Sequence, residues 1–380
     1  MNRKHLEEEH ILFQDAVRSF IEKEVAPHYE QWEKDGQVSR EIWKQAGELG
    51  MLSMEFPEEY GGANIKDVRF NAIVGEELAR ANATGPGFAI QNDIVVPYLM
   101  KYCTEEQKKK YLPGIASGEI IGALALSEPA AGSDLQGIKT TAAKKDNHFI
   151  LNGSKTFISN GLMADLVLVF ARTDPDKGAA GYSMLLLEEG MEGFKRGKKL
   201  DKIGLKGQDT AELYFEDVKV PFQNILGEEG QGFYYLMHNL PQERLSIAIS
   251  AIANAEAALE WTLQYCSERK AFGKPIGSFQ NTRFSLAQMK TELTIARVFV
   301  DDCILRLNSG DLTAEEAAMA KYWVSDLQFK VIDECLQLHG GYGYMNDFMI
   351  ARAWRDCRVQ RIYGGTNEIM KEIIGRSLGF

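Results

Sequence analysis

The spacing of apolar residues changes twice along this chain, and that change is the strongest constraint on its fold. Up to about residue 120, and again from about residue 230, apolar residues recur every three or four positions, the spacing that lines one face of an α-helix. Between these limits the apolar runs are short and strand-sized, and no helix-length segment separates them. A helical region, a β region and a second helical region therefore follow one another.

These regions predict an α+β protein of three domains. We expect an N-terminal helical domain over 1–120, a middle antiparallel β domain forming a small barrel over 121–229, and a C-terminal helical domain over 230–380. In the last region, three long apolar stripes begin at Leu245, Leu286 and Ala317 and are joined by short links. Three such helices favour an antiparallel bundle.

Local signals place some boundaries within the domains. Thr104–Gln107 has the form of a capping box, and the helix that it opens is predicted to end near Leu112-Pro113. Asn152-Gly153 lies after a strand-sized run and predicts a hairpin turn. Pro241 suits the first turn of a helix, where its missing N–H does no harm.

Composition excludes several classes of protein. The 43 Lys and Arg against 54 Asp and Glu leave a net charge of −11, which argues against nucleic-acid binding. The five cysteines include no CxxC and the six histidines no zinc-like spacing, so we expect no metal site. No apolar run is long enough to span a bilayer, and the charged start lacks the core of a signal peptide. We therefore expect a protein without membrane insertion, located in the cytoplasm, or in the mitochondrial matrix if this is a mature eukaryotic form.

The candidate functional residues occur in Gly-rich and charged clusters near the domain boundaries. GxGxxG, GxxxxGK[ST] and GxSxG are all missing, which disfavours the usual dinucleotide fold, P-loop transfer and serine hydrolysis. Small residues instead let backbone N–H groups approach a flat or phosphorylated ligand. Taken singly, each cluster is explained as well by a tight loop or a helix cap. The clusters are Ala125–Gly137, Arg269–Gly277 followed by Gln280, Gln337–Tyr344, and Ile362–Glu368.

Together with the loop Phe56–Gly62, these clusters resemble the acyl-CoA dehydrogenase family of flavoproteins over essentially the whole chain. The resemblance implies a helical domain, a β domain and a four-helix bundle, with FAD between the last two. It implies a homotetramer in which a neighbouring subunit completes the site. It also implies oxidation of an acyl-CoA thioester to the trans-2-enoyl-CoA, with a carboxylate taking the α-proton and flavin N5 taking the β-hydride.

The same resemblance assigns contacts residue by residue. Ser127 stands where a family Thr usually reaches flavin N5, and a backbone N–H near Gly364 is the expected donor to the thioester oxygen. The implied FAD contacts are Leu124, Leu126, Ser127, Gly132, Ser133, Phe157, Ile158, Ser159, Arg269, Phe272, Gln280, Gln337, Leu338, Gly340, Gly341, Thr366, Asn367 and Glu368. The implied substrate contacts are Ser133, Ala179, Ala180, Tyr234, Arg244, Gly364 and Gly365.

The catalytic base is where the chain departs from the common family pattern. Most members carry a Glu where this chain has Gly364, which has no side chain to act as a base. Two branches, the long-chain and isovaleryl-CoA dehydrogenases, place the base at the position of Glu243. The resemblance therefore assigns the base to Glu243, and we expect burial to raise its pKa. An ordinary helix-start Glu is the alternative explanation.

The long-chain branch fits better, and a medium- or long-chain substrate of fatty-acid β-oxidation is the expectation. An isovaleryl-type enzyme for short branched chains, using the same Glu243, is the nearest alternative. A flavin-binding relative without dehydrogenase turnover, for instance a DNA-associated stress protein, is a more distant alternative, and the net charge of −11 and the absence of a basic C-terminal extension argue against DNA association. An acyl-CoA oxidase is another, although oxidases of this superfamily are usually much longer. The expected electron acceptor is electron-transfer flavoprotein.

Overall fold

The N-terminal region is helical, as its periodicity predicts. The computed structural model describes residue 3 and residues 5–379, so the outermost ends of the first and third predicted domains lie outside the described residues. Apolar side chains of the first helix pack with Trp43 and Phe88 into one core. The helices are α1 (Glu8–Phe20), α2 (Ala26–Asp35), α3 (Glu41–Glu48), α4 (Val68–Arg80), α5 (Val96–Tyr102) and α6 (Glu105–Ala116).

The capping box at the start of α6 is confirmed. The Thr104 hydroxyl accepts from the Gln107 N–H at 3.2 Å, and the Gln107 side chain accepts from the Thr104 N–H at 2.9 Å. The helix continues through Pro113 to Ala116, past its predicted end. A short π-helical turn, Ile90–Val95, precedes α5 and turns Gln91, Asn92 and Asp93 into the interior.

The middle region is one curled seven-stranded sheet with the order β1-β4-β2-β3-β7-β6, and β5 also pairs with β4. The pairing is mainly antiparallel, but β1 runs parallel to β4, so the sheet is mixed. Both faces of β4 are buried, one against α5 and α6 and the other in a second core, which explains its unbroken apolar run. The strands are β1 (Gly122–Ala125), β2 (Thr141–Lys145), β3 (His148–Ser159), β4 (Leu166–Arg172), β5 (Tyr182–Glu188), β6 (Phe194–Lys199) and β7 (Thr210–Pro221).

The hairpin predicted at Asn152-Gly153 is wrong. Both residues lie inside β3, where the register against β7 shifts between Leu151 and Gly153, as in a β-bulge. A side chain at Gly153 would collide with the Thr140 hydroxyl, so the glycine permits close approach of backbone rather than a turn. The turn between β2 and β3 lies earlier, at Asp146, which has a left-handed φ of 52°.

The C-terminal region is a helical bundle built on α7, α8 and α9. Leu245 and Ile252 of α7 share a core with Met289 of α8 and Val324 of α9. The small hairpin of β8 (Lys270–Ala271) and β9 (Lys274–Pro275) joins α7 to α8. None of the described helices is both long and apolar enough to cross a bilayer. The helices are α7 (Gly232–Glu268), α8 (Gln280–Ser309), α9 (Ala314–His339), α10 (Met349–Cys357) and α11 (Asn367–Ser377).

The position predicted for Pro241 is also wrong. Helix α7 starts at Gly232, so Pro241 lies in its interior and Glu243 about three turns in. Packing against α4, α8 and α9 carries the helix through the proline despite the lost hydrogen bond. The first-turn explanation of Glu243, a carboxylate favoured by the helix dipole, therefore fails.

Candidate active site

One cavity of about 330 Å³ lies where the three regions meet. The N-terminal region contributes Gly75 of α4 and the segment 84–94 that leads into α5. The β region contributes the end of β1 with the loop after it, and the end of β3. The bundle contributes the first half of α7 and the segment 360–369. The cavity lining is mainly apolar, with few polar side chains, as in a site for an organic ligand.

Glu243 is the buried carboxylate of this cavity. Its side chain projects from α7 and is 5% exposed. Tyr98 of α5 donates its hydroxyl to Glu243 Oε1 at 2.9 Å. Burial raises the pKa of Glu243 to about 7, although the Tyr98 hydrogen bond and the neighbouring Arg244 each favour the charged form. A carboxyl group with this pKa can take and return a proton near neutral pH.

The glycine turn Gly364–Gly365 forms another part of the cavity wall, although it lies far from Glu243 in the sequence. Both glycines have left-handed φ values, 64° and 92°. Arg244, buried beside Glu243, directs its Nε toward the Gly364 carbonyl oxygen at 3.5 Å. A side chain at position 364 would run into Ile247 of α7. The left-handed backbone thus disfavours a carboxylate at position 364 in this chain, and the terminal methyl group of Ile247 would have to move to admit one.

The β-region wall is supported from behind by an ion pair. Lys155 of β3, with no exposed side-chain surface, donates to Glu128 Oε1 and to the Leu126 carbonyl, each at 2.9 Å. Glu128 also accepts from two backbone N–H groups of the following loop, at 2.7 and 3.0 Å. The Thr156 N–H donates to the Ser127 carbonyl at 2.9 Å. These contacts fix the Leu126–Glu128 loop at the cavity edge.

The β-region wall fits a flat ring system such as a flavin. Phe157 lines the cavity with its side chain 70% exposed, and its φ of 60° places it in a conformation that bulky residues rarely adopt. Across the wall, a side chain added at Gly132 would meet no atom within 4 Å, so open space lies there. An exposed aromatic face held by a strained backbone, beside small residues and the Ser127 hydroxyl, suits a planar aromatic ligand.

Many residues assigned by resemblance come together in this one cavity. Gly132 and Ser133 approach it from the loop after β1, and Ile158 and Ser159 from β3, 25 residues along the chain. Their FAD and substrate roles stay predictions. Those that line it are Leu124, Leu126, Ser127, Gly132, Ser133, Phe157, Ile158, Ser159, Glu243, Arg244, Gly364 and Gly365.

The second group of assigned FAD residues lies outside the cavity, around the β8–β9 hairpin and the end of α9. The Arg269 guanidinium lies over the Tyr342 ring, 5.6 Å from its centre, so the ends of α7 and α9 are adjacent. Phe272, at the hairpin tip, is 96% exposed. This surface is open in the single chain. The residues concerned are Arg269, Phe272, Gln280, Gln337, Leu338, Gly340 and Gly341.

The remaining assigned residues have their own surroundings. Thr366 caps α11, accepting from the Ile369 N–H at 3.4 Å. Asn367 is buried, and its side chain forms hydrogen bonds with Lys321, Ser325 and Asp326 of α9. The remainder, Glu368, Ala179, Ala180 and Tyr234, are exposed and do not line the cavity.

Several functional candidates escaped the sequence analysis. Tyr98 lies 145 residues before its partner Glu243, and no local pattern marks that contact. Lys155 and Lys321 resemble surface lysines in the sequence but have no exposed side-chain surface. Other lining residues that were missed are Gly75, Gly87, Phe88, Ile94, Gln208, Ser250 and Gln360.

The chain consists of a helical, a β and a second helical region, and a cavity with a buried carboxyl group lies where they meet. This arrangement is typical of an enzyme that binds an organic ligand and transfers a proton. Models of the acyl-CoA dehydrogenase N-terminal, middle and C-terminal domains match residues 7–119, 123–218 and 230–379. The chain belongs to the acyl-CoA dehydrogenase family, which confirms the resemblance and the fold class. It is therefore an oxidoreductase acting on acyl-CoA, in a family of flavoproteins.

Individual relatives are similar along nearly the whole chain. A mitochondrial long-chain specific acyl-CoA dehydrogenase of Sus scrofa is 50% identical over 378 residues, 99% of this chain and 88% of the relative. A mitochondrial isovaleryl-CoA dehydrogenase of Pongo abelii is 39% identical, over 98% of this chain and 89% of the relative. A solved acyl-CoA dehydrogenase from Geobacillus kaustophilus superimposes with a TM-score of 0.97 at 48% identity, over 99% of this chain and 100% of that one.

Proposed function

We propose that this chain oxidises straight, medium- to long-chain acyl-CoA thioesters to trans-2-enoyl-CoA, with Glu243 removing the α-proton. The observation that carries the proposal is the Glu243 carboxyl group: buried, facing the cavity, and with a pKa raised to about 7. Gly364 offers no side chain for this role, and Ile247 occupies the space that one would need. The buried carboxyl group of Glu243 and the lack of a side chain at Gly364 thus both support Glu243 as the base.

The protein has two tasks beside removing the proton. It must stabilise negative charge on the thioester oxygen, because that charge is what makes the α-proton acidic. Backbone N–H groups of the Gly364–Gly365 turn are the candidates, with the Arg244 cation behind them. It must also exclude water, and the apolar lining from Leu78, Ile90 and Leu240 does so.

FAD is the cofactor that we propose for the β-region wall, held by Leu124–Ser133 and Phe157–Ser159. When bound there, it would supply the acceptor for the β-hydride. Ser127 and Ser159 offer hydroxyl groups to its ring system, and Phe157 offers an aromatic face. The adenosine half is proposed for the open surface around Arg269, Gln280 and Gln337–Gly341, completed by a neighbouring subunit of a homotetramer. Electron-transfer flavoprotein is the proposed electron acceptor.

The preference for longer chains is supported by small residues at the far side of the cavity. Gly75 of α4 and Ser250 of α7 face each other there, and a side-chain carbon added at Gly75 would lie 3.7 Å from the Ser250 hydroxyl. The cavity lining therefore includes both helices and continues along α7 from Glu243 to Ser250. The long-chain relative from Sus scrofa, more similar than the isovaleryl-CoA relative, supports the same preference.

The test is anaerobic mixing of the purified yellow flavoprotein with palmitoyl-CoA, butyryl-CoA and isovaleryl-CoA while flavin absorbance is followed. We expect rapid bleaching by palmitoyl-CoA and little by isovaleryl-CoA. Gly75→Leu should close the deep end, removing reduction by palmitoyl-CoA while butyryl-CoA, the internal control, still reacts. Preferential bleaching by isovaleryl-CoA would support the branched-chain alternative, and bleaching by none of them a relative without turnover.

A further inference from the structure

Lys321 of α9 is a fully buried cation that the reaction described so far does not use. Its side chain has no exposed surface, and its Nζ donates to the Gly365 carbonyl at 2.7 Å and to Asn367 Oδ1 at 2.9 Å. Within the described part of the chain, no carboxylate lies within ion-pair distance of this ammonium group. Burial of a cation without a counter-ion lowers the free energy of unfolding, so a role in stability alone is a poor explanation of Lys321.

Lys321 acts on the same turn as Arg244. Arg244 approaches the Gly364 carbonyl from α7, and Lys321 holds the next carbonyl, that of Gly365, from α9. Two cations on two helices thus face consecutive carbonyl groups of one turn, and Lys321 makes the shorter contact. Asn367 braces the lysine in turn, through hydrogen bonds to Ser325 and Asp326.

The backbone N–H groups of this turn are available to a ligand. Among the hydrogen bonds of the described residues, none has the N–H of Gly364 or Gly365 as its donor, although both glycines line the cavity. A peptide group is planar and trans, and it joins the carbonyl of one residue to the N–H of the next. The carbonyl that Arg244 approaches thus shares its plane with the Gly365 N–H, and the carbonyl that Lys321 holds belongs to the plane after Gly365. Lys321 and Arg244 therefore act on the two peptide planes that flank the Gly365 Cα, which restricts the rotation of Gly365 and the direction of its N–H.

We propose that Lys321 is a positioning residue, which holds the Gly364–Gly365 turn so that its backbone N–H groups meet the thioester oxygen of the acyl-CoA. The inference rests on the proposed function, because it needs a thioester carbonyl in this part of the cavity. Lys321 itself does not line the cavity. Its effect is confined to ligands that carry the carbonyl oxygen, which separates positioning from general support of the fold.

The test compares two ligands of equal chain length by calorimetry on the flavin-loaded protein. One is a trans-2-enoyl-CoA thioester, and the other is an S-alkyl-CoA thioether, which lacks the carbonyl. The unmodified protein should bind the thioester more tightly than the thioether. Lys321→Met should reduce that ratio about 3- to 10-fold, the equivalent of one hydrogen bond, while thioether affinity stays within about 2-fold.

Lys330→Met is the matched control, since Lys330 lies on the same helix, exposed and paired with Glu292. It should leave the ratio unchanged. If Lys321→Met does not fold, Lys321→Gln takes its place with the same expectation. An unchanged ratio in the Lys321 variant, or an equal loss for both ligands, would overturn the inference alone. If the unmodified protein itself shows no preference for the thioester, the proposed thioester site fails, and the inference with it.

Discussion

A buried lysine lies behind each of two walls of the cavity, and the charged groups around the two lysines differ. In the β region, Lys155 donates to the Leu126 carbonyl and pairs with Glu128. In the bundle, Lys321 donates to the Gly365 carbonyl with no such partner within ion-pair distance among the described residues. Burial lowers the pKa of both lysines to about 8. The paired Glu128 opposes this at Lys155, whereas at Lys321 Arg244 adds to it and the more distant Asp326 and Glu368 oppose it.

The β-region wall is therefore the one that favours stability, and the bundle wall is the one that carries the groups proposed for the reaction. Around the β-region loop, the carboxylate, the ammonium and the backbone donors satisfy one another. The bundle wall instead combines Glu243, whose burial favours the neutral acid, with two cations aimed at one turn. Unbalanced groups of this kind lower stability and concentrate at catalytic sites. The comparison predicts which substitutions weaken the fold and which relieve it.

The largest expected effect on stability is that of Lys155→Met. It leaves Glu128 buried without its cation, which typically destabilises a protein by about 3–5 kcal/mol. Lys321→Met strands no carboxylate, and its loss should be less than half as large. Urea denaturation of both variants measures this difference, and Lys155→Met with Glu128→Gln should recover much of the stability. Equal losses at the two lysines would remove the distinction between the walls.

The next effect is a gain of stability on removing Glu243. Its pKa rises from an ordinary 4.5 to about 7 on folding, so the folded state holds the proton more tightly. The stabilisation is complete below pH 4.5 and is lost as pH rises through 7. Glu243→Gln should therefore match the unmodified protein near pH 4 and exceed it by about 3 kcal/mol at pH 8. Denaturation at both pH values checks this, and no pH-dependent difference would contradict the raised pKa.

A smaller effect belongs to Tyr98→Phe. The variant removes the hydroxyl that donates to Glu243 and favours its charged form. The pH at which flavin reduction reaches half its maximal rate should move up by about one pH unit. Tyr102→Phe is the control, because Tyr102 packs against Tyr98 without a hydrogen bond to Glu243. A shift to lower pH would show that the tyrosine stabilises the neutral acid instead.

The sequence predicts the large features of this protein well and the contacts across the cavity poorly. The three regions and the capping box at Thr104 depend on periodicity or on neighbours within four positions. Asn152-Gly153 and Pro241 mislead because tertiary packing overrides a local preference, in β3 through the bulge and in α7 through the bundle. No local signal exists for Tyr98.

Glu243 illustrates both sides of this limit. The resemblance singled it out from the loss of a side chain at Gly364, but its assumed first-turn position was wrong. What fits it for proton transfer is burial and the Tyr98 hydroxyl, and both arise only when α5 packs against α7. The assignment came from the sequence, and its physical reason comes from the packed structure.

The central claim is that Glu243 takes the α-proton, and stopped-flow flavin reduction by a saturating straight-chain acyl-CoA between pH 6 and 9 tests it most directly. The unmodified protein should show a rate that rises with an apparent pKa near 7. Glu243→Gln should keep its flavin but react about 10²–10⁴-fold more slowly. Glu260→Gln, an exposed change on the same helix, should behave as the unmodified protein does. Flavin reduction by Glu243→Gln at the unmodified rate would contradict the claim.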